Sequence, residues 1–181
     1  KAQVPDLSIT LTDRFPNQIA ATRLADLGVD YRLEPVNATA VPADLPGLRT
    51  LFTSFHHFRP DGARAVLQDA VDAGAPVAIF EFTERRLGRL LPAPLLLPLI
   101  VWLTTPMIRP VTPGRLFWTY VIPVVPMMTT WDGIASDLRT YSAAELEVLT
   151  AGVEGGDRYR WEIGRVGKGM PVTYLLGAPN Q

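Results

Sequence analysis

The alternation of short apolar segments with helical segments constrains the fold of this chain most. Two segments carry apolar side chains at helical spacing, 16–27 and 61–73. Four segments have the β-branched, apolar composition of strands: 7–11, 29–33, 48–53 and 76–80. The last of these is apolar throughout, which is typical of a strand covered on both faces. Strands and helices in this order predict a parallel sheet covered by helices.

The C-terminal third has a different pattern. Residues 143–151 predict a short helix, with Ser142 as its cap and Glu145 in the position that completes a capping box. Two strand-like segments follow, 158–166 and 170–176, with a glycine-rich turn between them. We therefore expect the parallel sheet to end in an antiparallel hairpin.

An apolar insert, residues 87–131, lies between these two parts. It contains a stretch without charge, 90–108, that is long enough to cross a membrane. Four prolines in this stretch argue against a regular spanning helix, because each removes a backbone donor. A cover over a ligand cavity or a dimer face fits the insert better than a bilayer span.

Composition excludes several kinds of site. The 181 residues suit a single domain, 1–181, and 48% hydrophobic against 19% charged residues indicate a globular chain. Without cysteine there is no disulfide framework, thiolate metal centre or cysteine nucleophile. The balance of 17 basic and 18 acidic side chains gives no reason to expect nucleic-acid binding. Two adjacent histidines and Glu81 are too few ligands for a metal hydrolase, so we expect no metal.

Four segments resemble motifs of the class I S-adenosylmethionine-dependent methyltransferases. Leu11-Thr12-Asp13-Arg14-Phe15-Pro16-Asn17 resembles the second-strand motif, Val36-Asn37-Ala38 the third, and Phe52-Thr53-Ser54-Phe55-His56-His57-Phe58 the fourth. The hairpin from Trp161 to Leu176 resembles the antiparallel end of that family's sheet. The resemblance implies a Rossmann-like, mostly parallel α/β sheet and S-adenosylmethionine as cofactor.

The resemblance also implies positions for the cofactor. Asp13 at a strand end would accept hydrogen bonds from the ribose hydroxyls, although it could instead cap the following helix. Asn37 would accept from the adenine amino group, or serve only in a turn. The residues that the resemblance assigns to the cofactor are Asp13, Arg14, Asn37, Ala38 and Ser54.

Catalysis would depend on the two histidines. His56-His57-Phe58 resembles the His-Asp-Trp segment of small-molecule O-methyltransferases, with His56 in the position of the base and His57 where those enzymes carry Asp. Histidine is the commonest proton acceptor near neutral pH. The other interpretation is that one histidine caps or packs under the helix that starts near Pro60. Glu81, Trp118 and Trp131 are the residues that we expect to contact an acceptor hydroxyl on a sugar or natural product.

The glycine-rich loop that this family places after its first strand is absent from the sequence, which begins just before the second-strand motif. The resemblance therefore predicts an N-terminally incomplete sheet and a chain that is inactive, or binds the cofactor poorly, without the missing part. Gly164 to Gly169 is a glycine cluster whose place between two strands predicts a hairpin turn.

Two functions remain open at this point. The first is O-methylation of a small molecule by a cytoplasmic homodimer whose interface includes the apolar insert, without membrane contact. The second is a non-catalytic, methyltransferase-like module whose insert binds a partner or a membrane surface. The sequence contains neither the Tyr-x-x-x-Lys of a dehydrogenase nor the Gly-x-Ser-x-Gly of a serine hydrolase.

Overall fold

The computed structural model describes residues 7–25, 27–169 and 171–180. The strands are β1 (Thr10–Leu11), β2 (Asp30–Tyr31), β3 (Arg49–Phe52), β4 (Val77–Glu81), β5 (Tyr159–Val166) and β6 (Val172–Pro179). The helices are α1 (Gln18–Ala25), α2 (Pro60–Asp72), α3 (Leu87–Leu90), α4 (Ala93–Thr104), α5 (Pro113–Leu116), α6 (Val124–Arg139) and α7 (Ala143–Ala151).

The strands form a mixed α/β fold of the Rossmann-like type. In the larger sheet the order is β3-β4-β6-β5, with β3 and β4 parallel and β6 antiparallel to both of its neighbours. Strands β1 and β2 pair in parallel in a second sheet. Every predicted strand is present, and the antiparallel hairpin closes the sheet as expected. The fold class predicted from the sequence is confirmed.

The strands form two separate sheets, whereas the sequence predicts one. Among the described residues no backbone ladder joins β1 to β3, so the two-stranded and four-stranded sheets are separate. Strands β1 and β2 have two residues each, shorter than the predicted segments 7–11 and 29–33, and each pairs with the other alone among the described strands. Residues 1–6 lie outside the described residues, as does Met170, the first residue of the predicted strand 170–176.

Helix α2 provides the centre of the core. Its buried face consists of Ala63, Val66, Leu67, Ala70 and Val71, the apolar positions that recur at helical spacing in the sequence. This face packs with Ile79 of β4, Leu175 of β6 and the α7 residues Leu146 and Leu149 in one hydrophobic cluster. Strand β4 therefore lies between β3 and β6 in the sheet and packs against α2, so its carboxyl end has a fixed position.

The insert folds as a pair of packed helices with irregular connections. Helices α4 and α6 approach closely at Gly133, where a Cβ atom would lie 2.9 Å from Leu97 Cδ1. Residues Phe117–Val121 form a π-helical turn, which Trp102 anchors by donating its indole N–H to the Thr119 carbonyl. Much of the remaining apolar surface of the insert is exposed, with Trp131 at 76%. None of the helices in the described part of the chain combines the length and the apolar character needed to cross a membrane.

The capping box predicted at α7 is present. Ser142 Oγ accepts from the Glu145 backbone N–H, and the Glu145 carboxylate accepts from the Ser142 backbone N–H at 2.8 Å. This backbone hydrogen bond is the main cause that lowers the pKa of Glu145. The ionised carboxylate therefore stabilises the folded state above its unfolded pKa, and this contribution disappears as the pH falls through the lowered value.

We predict that Glu145→Gln lowers the free energy of unfolding by about 0.5–1 kcal/mol at pH 7, because a neutral amide replaces a charged acceptor at the helix N-terminus. The difference from wild type should vanish in acid, where Glu145 is protonated. Urea unfolding at both pH values measures it, with Glu147→Gln on the same helix as control. An equal loss at both pH values would contradict the electrostatic explanation.

Candidate functional site

A buried histidine–glutamate pair lies at the carboxyl ends of β3 and β4. Glu81 is the last residue of β4, and His56 lies in a 3₁₀ turn, Phe55–His57, that follows β3. His56 Nδ1 is 2.8 Å from Glu81 Oε2, and the His56 backbone N–H donates to Glu81 Oε1 at 3.1 Å. Both residues are almost completely buried, at 3% and 4% exposure. One carboxylate thus holds both the backbone and the ring of His56.

The hydrophobic core holds this turn in place. Phe55 is fully buried, and its ring packs 5.6 Å from that of Tyr141 and 6.3 Å from that of Phe58. The Tyr141 hydroxyl donates to the Phe58 carbonyl at 2.8 Å. Burial of the Tyr141 ring raises the pKa of its hydroxyl, which keeps this donor protonated. Tyr141, in the link between α6 and α7, therefore holds the residues on both sides of the histidines.

The hydrogen bonds determine which ring nitrogen of His56 is available. An ionised carboxylate only accepts hydrogen bonds, so Nδ1 facing Glu81 carries the hydrogen and Nε2 presents a lone pair in the neutral ring. Nε2 is buried and has no hydrogen-bond partner among the described residues. Because buried polar atoms in folded proteins are nearly always paired, this nitrogen is suited to receive a ligand group.

Two threonines extend the pair toward the insert. The Thr83 hydroxyl donates to Glu81 Oε2 at 3.1 Å, and the Thr140 hydroxyl lies 2.6 Å from Thr83 Oγ1. Thr140 directly follows α6, so the last turn of the insert's long helix is linked to the carboxylate that orients His56. No local sequence signal marks these threonines, because they come from positions far apart in the chain.

Thr53 is a further residue that the sequence does not reveal. It has φ of 46° although it is β-branched, and it lies directly after β3 and before the histidine turn. Its backbone N–H donates to the Phe80 carbonyl at 2.7 Å. Such backbone conformations are energetically unfavourable and occur mainly where the surrounding structure holds them, often at functional sites. Thr53 redirects the chain from β3 into the turn that carries His56.

The alternative roles of the two histidines can now be compared with their positions. The residue at the N-cap of α2 is Arg59, so neither histidine caps that helix. His57 is exposed, and its ring centroid lies 4.3 Å from that of His56. Glu81, which the sequence analysis grouped with acceptor-binding residues, has both oxygens engaged by His56 and Thr83. We therefore assign Glu81 to the orientation of His56.

The residues expected at the cofactor lie on the other sheet and the loops beside it. Asp13 follows β1 and is exposed; one of its carboxylate oxygens accepts from the Phe15 backbone N–H at 2.8 Å. The cap of α1 is Asn17, whose side chain accepts from the backbone N–H groups of residues 19 and 20. The helix-cap interpretation of Asp13 is therefore wrong. The other Asp13 oxygen has no partner among the described residues and is available to a ligand.

Asn37 and Arg14 are already engaged locally. The Asn37 side-chain oxygen accepts from the Thr39 backbone N–H at 3.2 Å, in a turn closed by Ala40. The Arg14 guanidinium lies over the ring of Phe15, 5.9 Å from its centroid.

Of the remaining predicted residues, the half-buried Ser54 begins the histidine turn, and Ala38 packs at the margin of the core. Trp118 and Trp131 are exposed on the insert, and no hydrogen bond or aromatic contact connects them to the His56–Glu81 pair in the described structure. His56 and Glu81 are thus two predicted residues, 25 positions apart in the sequence, that the fold brings into direct contact.

Comparisons with known proteins do not identify the function of this chain. No family model and no curated protein matches the sequence. Among solved structures, an O-methyltransferase family protein from Burkholderia thailandensis is similar, with 15% identity and a TM-score of 0.49. The similarity covers 98% of this chain but 45% of that protein, so the chain spans less than half of its length. At this identity and score, the similarity does not assign an activity.

We predict that Glu81→Ala lowers the free energy of unfolding by about 1–3 kcal/mol, because it leaves buried donors of His56 without an acceptor. Thermal or urea unfolding measures the effect. Glu147→Ala, on the exposed face of α7, is the control and should change stability by no more than about 0.5 kcal/mol. Equal stability of wild type and Glu81→Ala would show that the pair does not hold the turn.

Proposed function

We propose that the chain belongs to a methyltransferase that uses His56 as general base to methylate a hydroxyl group of a small molecule, with S-adenosylmethionine as the methyl donor. The observation that carries this proposal is the buried His56 ring, held by Glu81 at a strand end and with Nε2 unpartnered among the described residues. A histidine that only filled space would not need a carboxylate on both its backbone and its ring.

The residues that follow the parallel strands are suited to bind part of the cofactor. A ligand that lies across the carboxyl ends of parallel strands meets the first residues after each strand, and Asp13, Asn37 and Ser54 are at such positions. The available Asp13 oxygen suits a ribose hydroxyl. The Asn37 oxygen is shared with a turn, so its contact with adenine is the weaker part of the proposal. S-adenosylmethionine supplies an electrophilic methyl group when it is bound.

The residues of the chain would divide the proton transfer between them. His56 Nε2 accepts the hydroxyl proton as the acceptor oxygen attacks the methyl group. Glu81 keeps the proton-bearing Nδ1 directed toward itself and stabilises the imidazolium that forms, as the carboxylate of a catalytic triad does. Thr83 limits the movement of that carboxylate. His57, adjacent and exposed, would act by contact with its neighbour or with solvent.

The acceptor is a small molecule with a hydroxyl group, and a sugar or a natural product fits best. The insert begins just after the pair, and its long helix ends at Thr140, so the insert is anchored beside His56. Trp118 and Trp131 lie on that insert and would contact the apolar or planar part of an acceptor if the insert closes over the site.

We predict that His56→Asn in the full-length polypeptide lowers turnover by roughly 10²–10⁴-fold. The asparagine amide can still donate to Glu81 from the place of Nδ1, but it removes Nε2. The reaction is measured by mass spectrometry, as the gain of one methyl group by acceptors from a panel of sugars and phenols.

His57→Asn is the matched control and should retain most of the activity. A larger loss in His57→Asn would transfer the role of base to His57. If both variants are fully active, the reaction needs no histidine base. If the wild type methylates no acceptor and binds no S-adenosylmethionine, the chain is the non-catalytic module.

A further inference from the structure

The surface of the apolar insert is not covered by the rest of the chain. Large apolar side chains are exposed on α4, on the connection and on α6; they include Leu95, Leu99, Leu103, Met107, Trp118, Met128 and Trp131. The accessible surface of the chain is 12420 Å². A folded monomer of 19.9 kDa is expected to expose about 8,700 Å². Contiguous apolar patches of more than a few hundred Å² normally mark a surface that binds something.

The charge of this surface is one-sided. From Arg85 to Trp131 the sequence contains five arginines and no aspartate or glutamate, whereas the rest of the chain has twelve basic and eighteen acidic side chains. Arg85 pairs with Glu145 and Arg89 pairs with Asp137. The other three arginines, Arg86, Arg109 and Arg115, form no ion pair with any described residue.

The unpaired arginines lie among the exposed apolar residues. Arg109 lies between Ile108 and Val111, which are 52% and 43% exposed, and Arg86 precedes Leu87, which is 73% exposed. Apolar and aromatic side chains interspersed with arginine are typical of elements that lie in the interface of an anionic membrane. The aliphatic part of arginine can remain with the apolar surface while its charged group reaches the lipid headgroups.

A second copy of the chain fits this surface less well. In a two-fold dimer the same patch faces itself, so arginines of one copy would lie opposite arginines of the other. Between Arg85 and Trp131 no carboxylate separates them, the nearest ones being Glu84 and Asp132 at the two ends of this segment, and like charges across an interface oppose association. An anionic lipid surface can bury the apolar side chains and pair its headgroups with the arginines.

We propose that the exposed face of the apolar insert docks on the surface of an anionic lipid bilayer, and that this contact replaces the homodimer expected from the sequence. Thr140 connects the end of α6 to Thr83 and Glu81, so the docked insert would remain linked to the His56–Glu81 pair. The proposal does not depend on methyl transfer, and its test measures binding alone.

The test is sedimentation of the full-length protein with vesicles of phosphatidylcholine alone or phosphatidylcholine mixed with phosphatidylglycerol in equal parts. We expect binding to the mixed vesicles to be at least about tenfold tighter at low salt, and to weaken as salt screens the headgroups. The double variant Arg86→Gln/Arg109→Gln should weaken binding by about five-fold for each arginine removed. The control is Arg23→Gln/Arg160→Gln, which removes two exposed arginines outside the insert and should bind as the wild type does.

A second pair of variants tests the apolar part. Trp118→Ser/Trp131→Ser should also lose binding, whereas Val148→Ser/Val166→Ser, which changes exposed apolar residues elsewhere, should not. Light scattering without lipid is measured in parallel. A stable dimer that does not bind vesicles would overturn the proposal in favour of a second copy. Equal binding to neutral and anionic vesicles, or no binding by a monomer, would also overturn it.

Discussion

The contact between Glu81 and His56 connects the separate parts of this molecule. Glu81 ends the most buried strand, which lies between β3 and the C-terminal hairpin and packs against α2, so its carboxylate has little freedom to move. That carboxylate accepts two hydrogen bonds from His56 and one from Thr83. Leaving buried donors without an acceptor is unfavourable, so the turn after β3 adopts the conformation that brings the histidine to the carboxylate. The strained backbone of Thr53 is consistent with a turn held in this way.

The same contact gives the insert its position. Thr140 reaches Thr83 from the end of α6, and Asp137 one turn earlier accepts from the Glu84 backbone N–H and from Arg89. Arg89 near the start of the insert and the last turn of α6, which follows the insert, are thus fastened beside the histidine. The middle of the insert exposes apolar side chains and arginines to solvent.

Local sequence signals predicted the elements that depend on short-range chemistry. The apolar positions of α2, the uninterrupted apolar β4, the Ser142–Glu145 capping box and the glycine turn of the hairpin are each specified by adjacent residues, and all are present. The pairing of His56 with Glu81 was not predicted, because it joins residues 25 positions apart and depends on the order of the strands. The positive φ of Thr53 could not be anticipated either, since β-branched residues rarely adopt it. The sequence alone could not decide whether Asp13 caps a helix or contacts a ligand. In the structure, Asn17 caps that helix.

Calorimetric titration of the full-length protein with S-adenosylmethionine tests most directly whether these strand ends form a methyl-transfer site. We expect the wild type to bind. We expect Asp13→Ala to bind more weakly, because each hydrogen bond to a charged acceptor contributes about 1.5–3 kcal/mol. We expect His56→Asn to retain the wild-type affinity. Absence of binding by the wild type, or equal affinity of wild type and Asp13→Ala, would contradict the proposed methyl-transfer site.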